Sequence, residues 1–395
     1  MSSRRASLLR ALARVLGLAL VVYVVATQVR WHDRLALADG TTLVGAVEET
    51  AGGFSVVPSD GGPARAVAGT EVAHARYGGR DLPDVSYGVP TLVRRLSGSW
   101  AVVAGVLVAL VALALVTAWR WRWLVLALGV PLSVADALRF TMYGVFFNLF
   151  VPGSTGGDVV KAWYAARRTG FPTKAVVSVL VDRVVGLFAL VLFAAAVLFL
   201  GPDRPGFHTP RLLVGGVLAA AAVGGVLVLS RRVRRALGLS ALLRRLPFQR
   251  VLGEVDAAVR LYRGHPGSLG LGLAVSLANH AGTAWCAYAL ARALGLTEVG
   301  VGDALALVPV VSLLSAVPLL PGGWGVGELA FAYFFSPLGV APSEAVALSV
   351  VFRLAILASG LPGAVMWLLA REGASRDAMA AEMDAAADAA AVETP

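Results

Sequence analysis

The sequence predicts an all-α polytopic membrane protein with two inverted re-entrant helical hairpins and a small all-β, barrel-like extracytoplasmic insert. Three observations predict it: an apolar composition, a matched pair of proline–glycine breaks inside apolar helices, and one polar stretch of short alternating strands. Apolar residues fill 58% of the 395 positions and mean hydropathy is +0.76, more greasy surface than a water-soluble domain can hide. The bilayer is therefore expected to be the solvent.

The chain opens with Arg4, Arg5 and Arg14 before the apolar run Val15–Ala26. Residues 1–29 are expected to be a signal anchor, because Val24-Val25-Ala26 is a poor small-x-small cleavage site. Residues 30–95 come next as the soluble part. Leu35–Leu37, Thr42–Glu48, Phe54–Val57, Arg65–Val67 and Glu71–His74 read as strands, separated by Asp39-Gly40, Gly52-Gly53 and Asp60-Gly61-Gly62 as turns. A five-stranded barrel with an accessory role is expected.

A hydrocarbon core of about 30 Å needs roughly 20 apolar residues per crossing. Ala101–Ala118, Ala175–Leu200, Leu212–Ser230, Leu269–Leu290 and Ala345–Leu369 meet that need. Trp119-Arg-Trp-Arg-Trp123 comes after the first span with the residues of an interfacial belt. Gly215-Gly216 and Gly224-Gly225 are expected to let helices pack closely. The 231–265 segment holds nine arginines interleaved with leucines, which suits an anionic membrane face. The acidic, alanine-rich residues 371–395 receive no role.

Two apolar stretches are broken in the same way. Val134–Phe150 ends in Val151-Pro-Gly-Ser-Thr-Gly-Gly-Asp158 before a short helix to Arg168. Asp303–Leu319 ends in Leu320-Pro-Gly-Gly-Trp-Gly-Val-Gly-Glu328 before Leu329–Phe335. Asp158 lies six residues after Pro152, and Glu328 seven after Pro321. Pairing each break with short flanking helices predicts hairpins that enter the bilayer and return. Loop charge then sets the orientation: the arginine-rich turns face the cytoplasm, as do both termini, while residues 30–95 face outward. The first hairpin dips from the cytoplasmic side and the second from the other, an arrangement used by transporters.

Non-helical backbone at membrane depth survives only where protein or water meets its polar groups, so two breaks imply a cavity. The second half-helix of each hairpin also offers free N–H groups and a dipole that favour an anion such as a phosphate head group. Candidate ligand-binding residues are therefore Asn148, Pro152, Gly153, Gly157, Asp158 and Lys161 on the first hairpin, and Pro321, Gly322, Gly323, Gly325 and Glu328 on the second. Asp182, Arg183 and Arg353 join them as ionisable groups inside apolar runs, which are costly unless paired or wetted. Asp158 and Glu328 could equally serve only their own helix starts. Lys161, three residues past Asp158, permits a local pair. Asp182 and Arg183 could snorkel, Arg353 is expected to face the cavity, and Asn148 suits either freed backbone or a ligand. Asn279-His280 reads as interhelical glue.

Other chemistry is argued against. Cys286 is the single cysteine, so no cysteine-based metal cluster forms. Nucleotide loops, H-E-x-x-H and dinucleotide fingerprints are missing, and no cofactor, metal or catalytic residue is expected. The net charge of +10 lies in loops and points to membrane rather than nucleic acid. Enzymatic activity is left open, with these absences weighing against it.

Asn148-Leu-Phe-Val-Pro-Gly-Ser-Thr-Gly-Gly-Asp158 with Lys161, then Asp182-Arg183-Val-Val-Gly-Leu187, then Pro318-Leu-Leu-Pro-Gly-Gly-Trp-Gly-Val-Gly-Glu328 resembles the lysylphosphatidylglycerol synthase transmembrane region family, also called flippase-like. The resemblance spans roughly residues 99–370. It implies an inner-membrane protein that handles lipids with anionic head groups. Lysine transfer is not implied, because the transferase domain of those synthases has no counterpart here. Where such proteins often carry arginine, this chain has Lys161, which keeps the charge and loses bidentate geometry. The expected function is lipid translocation. The rivals are an enzyme or subunit acting on a lipid-linked substrate, and a scaffold for a cell-envelope enzyme partner.

Overall fold

The structure, a computed structural model, describes residues 31–77, 80–148, 156–204, 206–229, 261–262, 264–316 and 325–369. The expected signal anchor, most of the basic segment 231–265, the acidic tail and the two breaks themselves lie outside the described residues.

The soluble part is a sheet of short strands: β1 (Asp33–Ala36), β2 (Thr42–Thr50), β3 (Gly53–Pro58), β4 (Arg65–Ala68) and β7 (Val85–Ser86) in the antiparallel order β4-β3-β2-β1-β7. Alternation turns Leu35, Val47, Phe54, Val56, Val67 and Val85 into one buried cluster. The β1–β2 turn is set by Asp39, whose Oδ1 accepts from the Thr41 hydroxyl at 2.6 Å and its amide at 2.8 Å, with Gly40 at φ 84°. Those bonds hold the Asp39 carboxyl below its ordinary pKa, the hydroxyl contributing most. Four of the five expected strands are in place. The fifth, Glu71–His74, instead ends a 3-10 turn (Gly69–Glu71), makes one bridge from Val72 to Leu37, and runs into β5 (His74–Tyr77). Strand β5 pairs only with β6 (Arg80–Pro83) among the described residues, leaving β4 and β7 at the sheet edges where a barrel would join them.

Asp33 fixes this sheet to the first helix. Its buried carboxylate accepts from Val47 N at 2.8 Å, Gly88 N at 2.5 Å and Thr91 Oγ1 at 2.7 Å. Gly88 and Thr91 belong to the start of α1 (Val89–Gly98), which leads into α2 (Trp100–Ala127). Arg95 of α1 then grips the helical part: Nη1 donates to Leu294 O at 2.8 Å, Glu344 Oε1 lies 3.8 Å away, and the guanidinium stacks 3.9 Å over Tyr87.

The helical part continues with α3 (Val134–Phe147), α4 (Gly156–Thr169), α5 (Pro172–Leu200), α6 (His208–Leu229), α7 (Pro266–Ala293), α8 (Val301–Ser315), α9 (Val326–Phe335), α10 (Pro342–Ser359) and α11 (Leu361–Leu369). Helix α2, helix α5 and the α10–α11 run are long and apolar enough to cross a membrane. The other expected spans, Leu212–Ser230 and Leu269–Leu290, fall on helices α6 and α7. Buried apolar side chains form two clusters, one around α7, α8, α9 and α10 and one around α2, α3, α4 and the start of α5.

Helices α3 and α4 run antiparallel. Arg168 reaches Asp136 at 3.2 Å, Tyr164 stacks on Phe140 with ring centroids 5.5 Å apart, and Gly157 N donates to Asn148 Oδ1 at 2.8 Å. Their backbones touch, because a Cβ on Gly157 would overlap Gly144 O. Gly363 sits equally close to Met142 O, which seats α11 on α3. The glycines expected to permit close packing are elsewhere: Gly216, Gly224 and Gly225 face open space and Gly215 meets only Phe199. Of these four glycines, Gly215 alone meets a described residue of another helix, Phe199 of α5.

Candidate functional site

The ionisable residues of the first hairpin are brought together with two neighbours. Lys161 Nζ donates to Asp182 Oδ2 at 3.1 Å and lies 4.2 Å over the Trp121 ring. On the other side of the same carboxylate, Arg120 Nε donates to Asp182 Oδ1 at 2.9 Å, with its Nη2 at 2.8 Å. Arg120 Nη1 also donates to Ser276 Oγ, whose own hydroxyl donates to Gly272 O at 2.6 Å. Exposures of 3% for Lys161, 6% for Asp182 and 7% for Arg120 show that this is an interior cluster.

A second pair sits beside it. Arg183 Nη1 donates to Asp158 Oδ2 at 2.6 Å, and both side chains keep about a quarter of their surface. The local pair expected between Asp158 and Lys161 is therefore replaced by a crossed arrangement in which each binds a residue of α5. The geometry explains the exchange. Lys161 lies almost one helical turn beyond Asp158, and α5 presents Asp182 and Arg183 as neighbours that point to different sides.

Sequence reasoning missed Arg120 by reading the whole Trp119–Trp123 run as interfacial. Trp119 and Trp123, four residues apart, do face outward, at 42% and 41% exposure, whereas Arg120 and Trp121 face the interior. Helical periodicity within the run carried that signal. Trp121 Nε1 donates to Ser178 Oγ at 3.2 Å, and His280 joins Gly186 O at 3.0 Å, tying α7 to α5 as interhelical glue.

The second hairpin is built differently. Glu328 is buried and caps its own helix, Oε2 accepting from Gly325 N at 2.6 Å. Gly325 takes φ 83°, a left-handed conformation that suits glycine. Glu328 Oε1 lies 3.0 Å from Arg353 Nε of α10, so Arg353 makes an ion pair with the hairpin acid. Gly327 leaves room for that guanidinium, since a Cβ there would come within 2.5 Å of its Nη2.

Asn148 satisfies freed backbone: it ends α3 and receives the amide of Gly157 at the start of α4. Pro152, Gly153, Pro321, Gly322 and Gly323 lie outside the described residues. The two hairpins approach through α10 and α11. A Cβ on Gly360 would lie 3.6 Å from Phe146 Cα, and Arg353 stands seven residues earlier, about 10 Å along the helix at 1.5 Å per residue.

Among the described residues, the linked ion pairs between α2, α4 and α5 bring together Arg120, Lys161 and Arg183 with Asp158 and Asp182. Glu328 and Arg353 form an ion pair at the second hairpin. Such a set can hold an anion through charge-assisted hydrogen bonds. Among the described residues no group of histidine, cysteine and carboxylate side chains could hold a metal.

No curated protein matches the chain, and no solved structure does. The family model for the lysylphosphatidylglycerol synthase TM region matches residues 88–363, more than two thirds of the chain. The match begins at the Gly88 amide held by Asp33 and ends at Gly363 against α3, thereby covering both hairpins and the charged cluster. With that extent of agreement and its apolar spans, the chain belongs to the lysylphosphatidylglycerol synthase TM region family and is a membrane protein.

Proposed function

We propose that the chain binds a phosphate-bearing lipid head group between its two helical hairpins and carries it across the bilayer, the tails staying in the hydrocarbon. The observation that carries this reading is the convergence of three cations, Arg120, Lys161 and Arg183, with Asp158 and Asp182 where α2, α4 and α5 meet. Guanidinium and ammonium groups gathered at one place donate charge-assisted hydrogen bonds to a phosphate. Arg183, partly exposed, makes the first contact; Lys161 and Arg120 lie deeper. The N-terminus of α4 adds its dipole.

Each hairpin re-enters rather than crosses. Helices of fourteen and fifteen residues, α3, α4 and α8, reach about 21–23 Å at 1.5 Å per residue, short of about 30 Å of hydrocarbon. Loop charge orients the protein in an inner membrane with both termini cytoplasmic and the sheet outside.

The test is reconstitution of the purified chain in vesicles that contain a fluorescent anionic phospholipid, with loss of outer-leaflet fluorescence after quenching as the readout. Asp158→Ala and Glu328→Ala are expected to abolish translocation while both proteins remain folded. Wild-type rates in both folded variants would overturn the reading. Chemical change of the lipid by the wild-type chain would favour an enzyme instead.

A further inference from the structure

A second polar site lies apart from the hairpin cluster, where four helix ends meet. The last turns of α2 and α4 and the first turn of α3 border a cleft of about 430 Å³ lined by Arg122, Leu126, Pro131, Leu132, Asp136 and Arg168. Lys174, near the start of α5, closes the same end by donating to Leu128 O at 3.0 Å. Nothing in the proposed transport path uses these groups.

The cleft is amphiphilic. Leu126, Pro131 and Leu132 give it an apolar wall, and the two arginines give it donors. Arg122 Nε is spent on Leu132 O at 2.9 Å, which fixes the guanidinium in place. Arg168 is two-thirds exposed and leans on Asp136 through Nε at 3.2 Å. Asp136 is itself engaged, receiving the Ser133 hydroxyl at 2.8 Å. Among the described residues, two cations therefore line the cleft beside one carboxylate that already has partners.

Its level in the membrane is marked by the outward tryptophans. Trp119 and Trp123 pack edge to face on the lipid side of α2, immediately beside Arg122. Paired exposed tryptophans sit at the head-group level of a bilayer. Phe171, exposed in the α4–α5 turn with Lys174 5.1 Å over its ring, marks the same level.

We infer that the Arg122–Arg168 cleft is a docking site for the phosphate of an anionic phospholipid in the leaflet at this end of the bundle. The arginines hold the phosphodiester, and Leu126 and Pro131 meet the glycerol backbone and first methylenes. This site is separate from the hairpin cluster and stands whether or not the chain translocates lipid.

The experiment uses the full chain in nanodiscs of equal phosphatidylglycerol and phosphatidylcholine, with the lipid retained through delipidation quantified by mass spectrometry. Wild-type protein is expected to retain phosphatidylglycerol over phosphatidylcholine. Loss of one charge-assisted contact in Arg168→Gln should lower that ratio about tenfold. Arg122→Gln with Arg168→Gln should lower it further. The same fall is expected when Arg168→Gln is added to Arg183→Gln, which removes the partly exposed cation of the hairpin site and so isolates the cleft. Arg139→Gln, an exposed charge of α3 outside the cleft, should leave the ratio unchanged. An unaltered ratio in Arg168→Gln, an equal fall in Arg139→Gln, or displacement of the lipid by an equal concentration of glycerol phosphate would each overturn the assignment.

Discussion

The two hairpins share a sequence plan and use it for different ends. Each has a proline, glycines and a carboxylate at the start of its second helix, yet Asp158 reaches across to Arg183 while Glu328 turns back onto Gly325 N. Among the described residues, the first hairpin links Arg120, Lys161 and Arg183 with Asp158 and Asp182 in neighbouring pairs, while at the second the buried Glu328 meets Arg353. The difference teaches that a repeated backbone device does not repeat its electrostatics. A break needs its freed N–H groups satisfied in both places, and at the second hairpin the acid itself does that. At the first, Asn148 does it instead, which releases Asp158 for an ion pair with a neighbouring helix.

The comparison predicts its largest effect at Asp182. Neutralising the carboxylate that Arg120 and Lys161 share leaves two buried cations without their counter-charge, and breaking such a pair costs about 3–5 kcal/mol. Asp182→Asn should therefore unfold at a much lower temperature than wild type, measured by intrinsic tryptophan fluorescence of the purified chain. A melting curve that overlays the wild-type one would show that the cluster is hydrated or differently paired, and the contrast between hairpins would fail.

Glu328 comes next and tests the neutral side of the comparison. Glu328→Ala removes a helix cap, worth about 0.5–2 kcal/mol, and takes this carboxylate away from Arg353. Adding Arg353→Met should recover part of the loss, because removing both members of a buried pair costs less than removing one. Recovery in the double variant, read from the same melting curves, supports a self-contained pair. Further destabilisation would mean that Arg353 serves other groups as well.

These contrasts were only partly legible in the sequence. Length and hydropathy were enough for the helices, and alternation was enough for β1 to β4, since both are local periodicities. The partners of the charges were not, because a pair such as Lys161–Asp182 depends on how α4 lies against α5, a relation that no spacing along the chain records. The i,i+3 rule offered Asp158 to Lys161 as the nearest acid, and packing overrode it. Arg120 was hidden by its neighbours: three tryptophans in five positions suggest an interface, and only the phase of the helix separates Trp119 and Trp123 from Arg120. Glycine behaved likewise. Gly144 and Gly157 form a close contact between α3 and α4, while among the described residues the more conspicuous pairs in α6 meet only Phe199.

That glycine contrast sharpens the hairpin argument at a single methyl group. Gly157→Ala would drive a Cβ into Gly144 O, separate α3 from α4 and strain the bond to Asn148. A loss of about 1–3 kcal/mol is expected from overpacking. Gly216→Ala, with open space around it, should be neutral or raise stability by about 0.5–1 kcal/mol through helix propensity. Thermal midpoints of the two variants order the sites, and equal midpoints would remove the close approach from the account.

The smallest stability effect belongs to Asp158, and it separates structure from function most cleanly. Its pair with Arg183 keeps about a quarter of each side chain in contact with solvent, and pairs of that kind contribute about 0–1 kcal/mol. Asp158→Asn should therefore melt close to wild type. It removes one negative charge from beside Arg183, so a bound phosphate should be repelled less, held more tightly and released more slowly. Translocation should then fall while retention of the anionic lipid in nanodiscs rises. A fall in both would assign Asp158 to shaping the site rather than to releasing its occupant, and unchanged translocation would place the working charges of the first hairpin on Lys161, Asp182 and Arg120 alone.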